Sequence, residues 1–295
     1  MRVLITGAHG QVGHELVRLA PNAFDVVGLG SGDLDITDAH GVAREVERMQ
    51  PQLIINAAAY TAVDRAESEP DLAYAVNRDG PLNLGKVAER LGIPVLHIST
   101  DYVFAGDAQA PYRETDPTGP TGVYGASKLA GEQALAASCT RHVIMRTSWV
   151  FGAHGHNFVK TMLRLARERD HLSVVADQQG CPTSAASIAR ALWSLAQQYR
   201  QEGSLRWGVY HYSGTPACSW HEFAEEIFRQ AHSIGLIPGL PAVDAISSQQ
   251  YPTPAKRPAW SVLDCSLLTQ IYGIDPADWR DELKAVLTEL KQGSR

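Results

Sequence analysis

The sequence predicts a doubly wound α/β fold, a Rossmann-type parallel sheet with helices on both faces, joined to a smaller and discontinuous α/β domain. Short apolar runs alternate with helical patterns through the first half of the chain, which implies parallel strands linked by crossover helices. A glycine-rich turn stands between the first apolar run and the first helical pattern. Beyond residue 150 the alternation weakens, as expected where a second layer begins.

The elements follow in order. Residues 3–6 read as a strand, 11–19 as a helix and 25–29 as a second strand. A helix over 42–49 leads to a third strand at 52–56. Residues 72–91 contain a long helix that feeds a strand at 94–99. Residues 106–122 are rich in Pro, Gly, Asp and Thr and form a long loop, a common seat of function. Residues 122–137 read as a helix and 142–146 as a strand. Helices at 158–169, 185–199 and 221–230 and a strand at 208–213 complete the pattern. The chain is expected to return to the main sheet near 172–175 and again near 208–213. The first domain then comprises 1–150 plus those returns, and the second comprises 151–171 and 214–295.

The 295 residues carry a net charge of −6, with 44% apolar and 20% charged residues. That balance argues against a nucleic-acid partner, which calls for a basic face. No run approaches the roughly 20 apolar residues that a membrane span requires. Cys139, Cys181, Cys218 and Cys265 are widely spaced, with no Cys-x-x-Cys pair, so they read as reduced thiols in a cytoplasmic protein. No metal-ligand spacing is present.

Three stretches carry chemistry. Gly7-Ala8-His9-Gly10-Gln11-Val12-Gly13 joins the first strand to the first helix. Glycines there permit a tight turn and let the backbone approach a pyrophosphate at a helix N-terminus, so a dinucleotide outweighs a plain glycine turn. The second strand ends at Gly30, where a carboxylate would bind the adenosine ribose, and no Arg or Lys lies between Val26 and Ala39. NADPH and NADH are therefore both expected to serve. Asp35 and Ile36 lie in a loop that could flank the adenine, although a turn or capping role suits Asp35 nearly as well.

Tyr124 and Lys128 form the second signal, at i and i+4 on one helix face; no other tyrosine in the chain has a lysine at that spacing. A nearby ammonium is expected to lower the tyrosine pKa and fit it to exchange a proton with a carbonyl oxygen. Such a pair arises readily by chance on a surface, and its company with the glycine turn favours catalysis. In the third, Ile98-Ser99-Thr100-Asp101-Tyr102-Val103-Phe104, Thr100 stands at a strand C-terminus, where parallel sheets place ligands. Its hydroxyl could orient a substrate carbonyl or merely cap the following loop. Trp149 lies just past another strand end and could stack on a sugar ring or serve as core.

With these stretches placed, the chain resembles the dTDP-4-dehydrorhamnose reductase family of the extended short-chain dehydrogenase/reductases. The likeness runs nearly end to end through Asn56-Ala57-Ala58-Ala59-Tyr60-Thr61-Ala62-Val63-Asp64, Ser99 to Phe104, Arg146-Thr147-Ser148-Trp149-Val150, Asn157-Phe158-Val159-Lys160-Thr161-Met162, and Tyr251-Pro252-Thr253-Pro254 with Arg257-Pro258. The resemblance implies NAD(P)H-dependent reduction of the C4 keto group of a dTDP sugar. It implies that Gly10, Gln11 and Val12 hold the pyrophosphate and Asp35 and Ile36 contact adenosine. Ala58, Ala59 and Tyr60 would line the cofactor cleft, and Thr100, Asp101 and Trp149 would meet the sugar. Tyr124 and Lys128 would form the catalytic pair, with Lys128 also on the nicotinamide ribose.

Arg257 could pair with the diphosphate or be a solvated loop residue. Departures from many relatives are Tyr60 in place of His, Gly30 in place of an acid and Trp260 in place of Asn. A Mg2+ ion at a subunit contact, known for some relatives, leaves no signature here, and a homodimer is left open. Related dehydratases read Thr-Asp-Glu where this chain has Tyr102, and related epimerases read Ser-Ser-x-x-Val-Tyr-Gly. A non-catalytic, cofactor-binding regulatory subunit is the remaining alternative.

Overall fold

The computed structural model describes residues 1–293. In the first half, β1 (Arg2–Thr6), α1 (Gln11–Arg18), β2 (Asp25–Leu29), α2 (Ala39–Met49) and β3 (Leu53–Asn56) lead to α3 (Val63–Ala66) and α4 (Pro70–Tyr74). A π-helical segment (Ala75–Asp79) then runs into α5 (Gly80–Leu91), β4 (Val95–Thr100) and a 3-10 turn (Asp101–Val103). Next come α6 (Val123–Ser138), β5 (His142–Thr147), β6 (Val150–Phe151), α7 (Phe158–Glu168), β7 (His171–Val175), β8 (Gln179–Gly180) and β9 (Thr183–Ser184). The chain ends with α8 (Ala185–Glu202), β10 (Gly208–His211), β11 (Cys218–Ser219), α9 (Trp220–Ser233), β12 (Ala242–Ile246), α10 (Ser266–Tyr272) and α11 (Trp279–Gly293).

Six parallel strands form the main sheet in the order β10-β5-β4-β3-β1-β2. Successive strand residues point to opposite faces, and both faces are apolar, as parallel sheets require. Val3, Ile5, Leu53, Ile55, Leu96, Val143 and Met145 join one core, which α1 and α8 cover. Leu4, Ile54, Val95 and Ile144 join the other, beneath α2 and α5. Trp193 of α8 donates its indole N–H to the Leu16 carbonyl at 2.9 Å and so ties the two covering helices. A separate core gathers α7, α9 and α11 around Phe223, Phe228 and Trp279.

Three expectations need correction. Residues 171–175 do not return to the main sheet: β7 pairs only with β12, in a two-stranded sheet. Its His171 and Ser173 are exposed while Leu172 and Val174 are buried, the alternation of a strand with one covered face. The stretch 214–295 is not all in the second body, because Leu268 of α10 packs in the core beside β5 and α8. The long helix is interrupted by the π-helical segment at Ala75–Asp79, just before Pro81, whose ring nitrogen cannot donate to the helical ladder.

One buried ion pair locks α6 to the sheet. Arg146 donates to both Glu132 oxygens, at 2.9 and 2.7 Å, and both side chains are 5% exposed. Glu132→Ala leaves a buried guanidinium uncompensated and is expected to cost about 3–5 kcal/mol in denaturant unfolding. A loss under about 1 kcal/mol, the range of an exposed pair, would contradict that role.

Candidate active site

The strand order reverses direction between β1 and β3, the switch point where open α/β sheets take ligands. The glycine turn lies there. Gly7 has φ +70°, and a Cβ on it would fall 2.5 Å from the Ala58 nitrogen, so the turn presses on the chain leaving β3. A Cβ on Gly13 would fall 2.0 Å from the Gly7 carbonyl oxygen, which explains glycine one turn into α1. Gly10 caps α1 without a side-chain hydrogen bond, and the first turn carries no acidic residue. The free N–H groups and the positive dipole end suit a pyrophosphate. Gln11 accepts from Asn157 at 2.9 Å and so links this turn to the start of α7.

Across the sheet, Thr100 ends β4 and Tyr124 opens the second position of α6. Tyr124 is half-buried, and its hydroxyl lies deep, beside Thr100. Thr100 Oγ1 donates to Asp101 Oδ1 at 2.9 Å, and Asp101 Oδ2 is buried with no hydrogen-bond partner among the described residues. Gly125 allows this approach, because a Cβ there would fall 2.1 Å from the Tyr102 carbonyl oxygen. Tyr102 meets Tyr124 edge-on, with ring centroids 5.4 Å apart.

The electrostatics differ from the sequence expectation. Lys128 does not lower the Tyr124 pKa in this state. Burial outweighs the opposing influence of the Thr100 hydroxyl and holds the phenol well above its usual value, with Asp101 and Tyr102 adding to the rise. Lys128 Nζ instead donates to the Ile98 carbonyl at 2.7 Å, and burial pushes its pKa down to about 8 against the opposing pull of Glu132. Burial also pushes Asp101 up to about 7, although the hydrogen bond from Thr100 opposes it. The phenol is thus kept protonated, which is the form a reduction needs.

The remaining predicted residues divide. Ala58, Ala59 and Tyr60 form a half-open run after β3. Asp35 serves the turn: its Oδ1 accepts from the Thr37 N–H at 2.9 Å and the Thr37 hydroxyl at 2.8 Å. The Ile36 side chain is buried in the core beneath α2 and α5. Trp149 adopts φ +47°, a strained setting for a bulky residue and one that gathers at ligand sites. One face of it stacks on Trp220 at 3.5 Å, and its indole N–H donates to Ser261 at 3.2 Å. Arg257 is not a solvated loop residue; it donates to Asp64 at 2.6 Å and to the Tyr102 hydroxyl at 3.0 Å.

Three residues escaped the sequence reading. Asn77, in the π-helical segment, accepts from the Tyr60 N–H at 2.8 Å and donates to the Tyr60 carbonyl and to Ser127 at 3.0 Å each. It clamps the cleft loop to α6, and a π-turn beside a site is a recurrent functional feature. Ser261 accepts from the Trp149 indole and donates to the Gln179 carbonyl at 3.2 Å, which fixes the ring. His97 lies under Lys128, with Nε2 3.4 Å from Nζ. No local motif signals any of them. Elsewhere, His14, Glu15 and His154 bring ligand-type atoms within 4.8 Å of one another, with Glu15 already paired to Arg18.

A phenol held as an acid opposite an uncapped, glycine-opened helix is the build of a nicotinamide-dependent oxidoreductase of the short-chain kind. Comparison with known proteins narrows the class. The family model described as RmlD substrate binding domain matches residues 1–292. A dTDP-4-dehydrorhamnose reductase of Aggregatibacter actinomycetemcomitans is 45% identical over 287 residues, covering 97% of this chain and 98% of the relative. The crystal structure of a dTDP-4-dehydrorhamnose reductase from Clostridium acetobutylicum superposes with TM-score 0.91 at 38% identity, covering 99% of this chain and all of the other. One from Bacillus anthracis in complex with NADP gives TM-score 0.89 at 38% identity, covering 98% and 99%. The chain belongs to the dTDP-4-dehydrorhamnose reductase family.

Proposed function

We propose that this protein reduces the C4 keto group of dTDP-4-dehydro-L-rhamnose to give dTDP-L-rhamnose, using NADPH or NADH. The observation that carries the reading is the placement of the buried Tyr124 hydroxyl beside Thr100 at the C-terminal end of β4, with the phenol held protonated. A bound nicotinamide cofactor supplies hydride to C4 of the sugar. Tyr124 gives its proton to O4 as the carbonyl becomes an alkoxide, and Thr100 orients that oxygen. Asp101 and Trp149 hold the sugar, and Lys128 holds the nicotinamide ribose.

A dehydratase is disfavoured because Tyr102, bonded to Arg257, stands where a dehydratase has a carboxylate. The protein works in the cytoplasm in this reading; no helix among the described residues is long and apolar enough to cross a membrane. Consumption of NAD(P)H on addition of dTDP-4-dehydro-L-rhamnose tests the activity. No consumption with either cofactor would leave the non-catalytic reading.

Gly30 bears on cofactor choice. A Cβ there would fall 2.2 Å from the His9 ring, which occupies the place of an acidic side chain. The two cofactors are expected to differ by less than tenfold in kcat/KM, about 1.4 kcal/mol. Gly30→Asp displaces the exposed His9 ring and sets a carboxylate against a 2′-phosphate. The NADPH-to-NADH ratio of kcat/KM is then expected to fall by about tenfold or more. An unchanged ratio would place the ribose elsewhere.

A further inference from the structure

A buried chain of side chains to which the reduction gives no role, Thr6, Asn56 and His97, runs from β1 to Lys128 of α6. Thr6, Asn56 and His97 are each 1% exposed or less. Thr6 Oγ1 donates to Asn56 Oδ1 at 2.7 Å, and the Ala58 N–H donates to the same oxygen at 3.1 Å. Asn56 Nδ2 lies 2.9 Å from His97 Nδ1, and His97 Nε2 lies 3.4 Å from Lys128 Nζ.

The proton positions follow from the one group that has no choice. A backbone N–H only donates, so the Asn56 atom facing Ala58 is the amide oxygen. The amide nitrogen therefore faces His97 and donates to it, which makes Nδ1 an acceptor. A neutral ring then carries its proton on Nε2, aimed at Lys128. An ammonium has donors only and gains nothing from a facing N–H, whereas an amine accepts it. The Ile98 carbonyl is served equally by both forms of the lysine.

The neighbouring charges do not cancel this bias. Glu132, one turn along α6, favours the ammonium, but Arg146 of β5 already matches its charge. Asp101 and Tyr102, in the 3-10 turn, act on Tyr124. Arg78 and Asp79, in the π-helical segment, pair with each other at 2.7 Å.

We propose that His97, locked by Asn56 in its Nε2–H tautomer, is a positioning residue that holds Lys128 toward its amine form and so sets the alkaline edge of the enzyme's working pH range. Burial acts in the same direction and brings the lysine to about 8. A lysine so poised gives up and regains a proton near neutral pH. The inference rests on the reductase reading above, yet its first test is independent of it.

That test is nitrogen-15 NMR of the histidine rings in the wild-type protein. His97 is expected to show an unprotonated Nδ1 and a protonated Nε2 across the active pH range. A proton on Nδ1 would overturn the proposal. The second test is the pH profile of kcat/KM for NADPH, which reports groups of the free enzyme. Asn56→Asp keeps an oxygen for Ala58 and replaces the donor by an acceptor. His97 then turns its lone pair to Lys128, and the alkaline limb is expected to rise by about one pH unit, a tenfold change in the amine-to-ammonium ratio.

His97→Leu removes the donor and adds no charge. Its limb is expected to move the same way by less. A limb that stays put in both variants would overturn the proposal, as would one that moves only in Asn56→Asp, where added charge alone would explain it. Should either variant fail to fold, the wild-type tautomer decides. Turnover of the keto sugar by the wild type tests the reductase reading separately.

Discussion

Tyr124→Phe is expected to lower kcat about 10²–10⁴-fold on the 4-keto sugar, the range that a positioned proton donor contributes. The substitution removes one oxygen and leaves the ring packed edge-on against Tyr102. Lys128 keeps its bond to the Ile98 carbonyl, so cofactor affinity is expected to change little. Burial makes the expectation sharp, because the phenol is held well above its usual pKa and enters the reaction as an acid. Thr100→Val is expected to cost less, since it removes an orienting hydroxyl and leaves the donor. Steady-state kinetics of the two variants separate these roles. Near wild-type turnover in Tyr124→Phe would pass the proton role to Asp101, whose buried carboxyl adjoins Thr100.

The second large effect is on stability. Asp101 titrates at about 7 when folded, against a reference of 3.8. The folded protein therefore binds more protons than the unfolded chain between those values. Stability falls as pH rises through this window and levels off above about 7. The shift corresponds to up to about 4 kcal/mol of destabilisation at alkaline pH, at 1.36 kcal/mol per unit. Asp101→Asn removes the ionisation and is expected to be more stable than wild type above neutrality by up to about that amount, with the gap closing toward pH 4. Turnover is expected to suffer, the usual exchange of function for stability at a ligand site. Thermal unfolding of both proteins across pH tests this. A gap that does not vary with pH would show that the carboxyl titrates normally.

Parts of the site were legible because they are local. A glycine turn after an apolar run, and Tyr and Lys one helical turn apart, are written in adjacent residues. Thr100 was legible from its strand end. Proton states were not, because they depend on burial depth, which spacing does not report; hence the reversal at Tyr124. Asn77, His97 and Ser261 act across long sequence separations and bear no motif. The polar alternation of His171 and Ser173 marks a strand with one covered face, whereas the main sheet is buried on both. Trp149 lies just past β5, but nothing local announces its left-handed backbone or the stack on Trp220.

The central claim is hydride delivery to C4 of a dTDP sugar. NADPH carrying deuterium at the reactive position of its nicotinamide, on whichever face the enzyme uses, tests it most directly when turned over with dTDP-4-dehydro-L-rhamnose. The account expects one deuterium at C4 of the product sugar, seen by NMR, for each cofactor oxidised. A product free of deuterium, or labelled at another carbon, would contradict it.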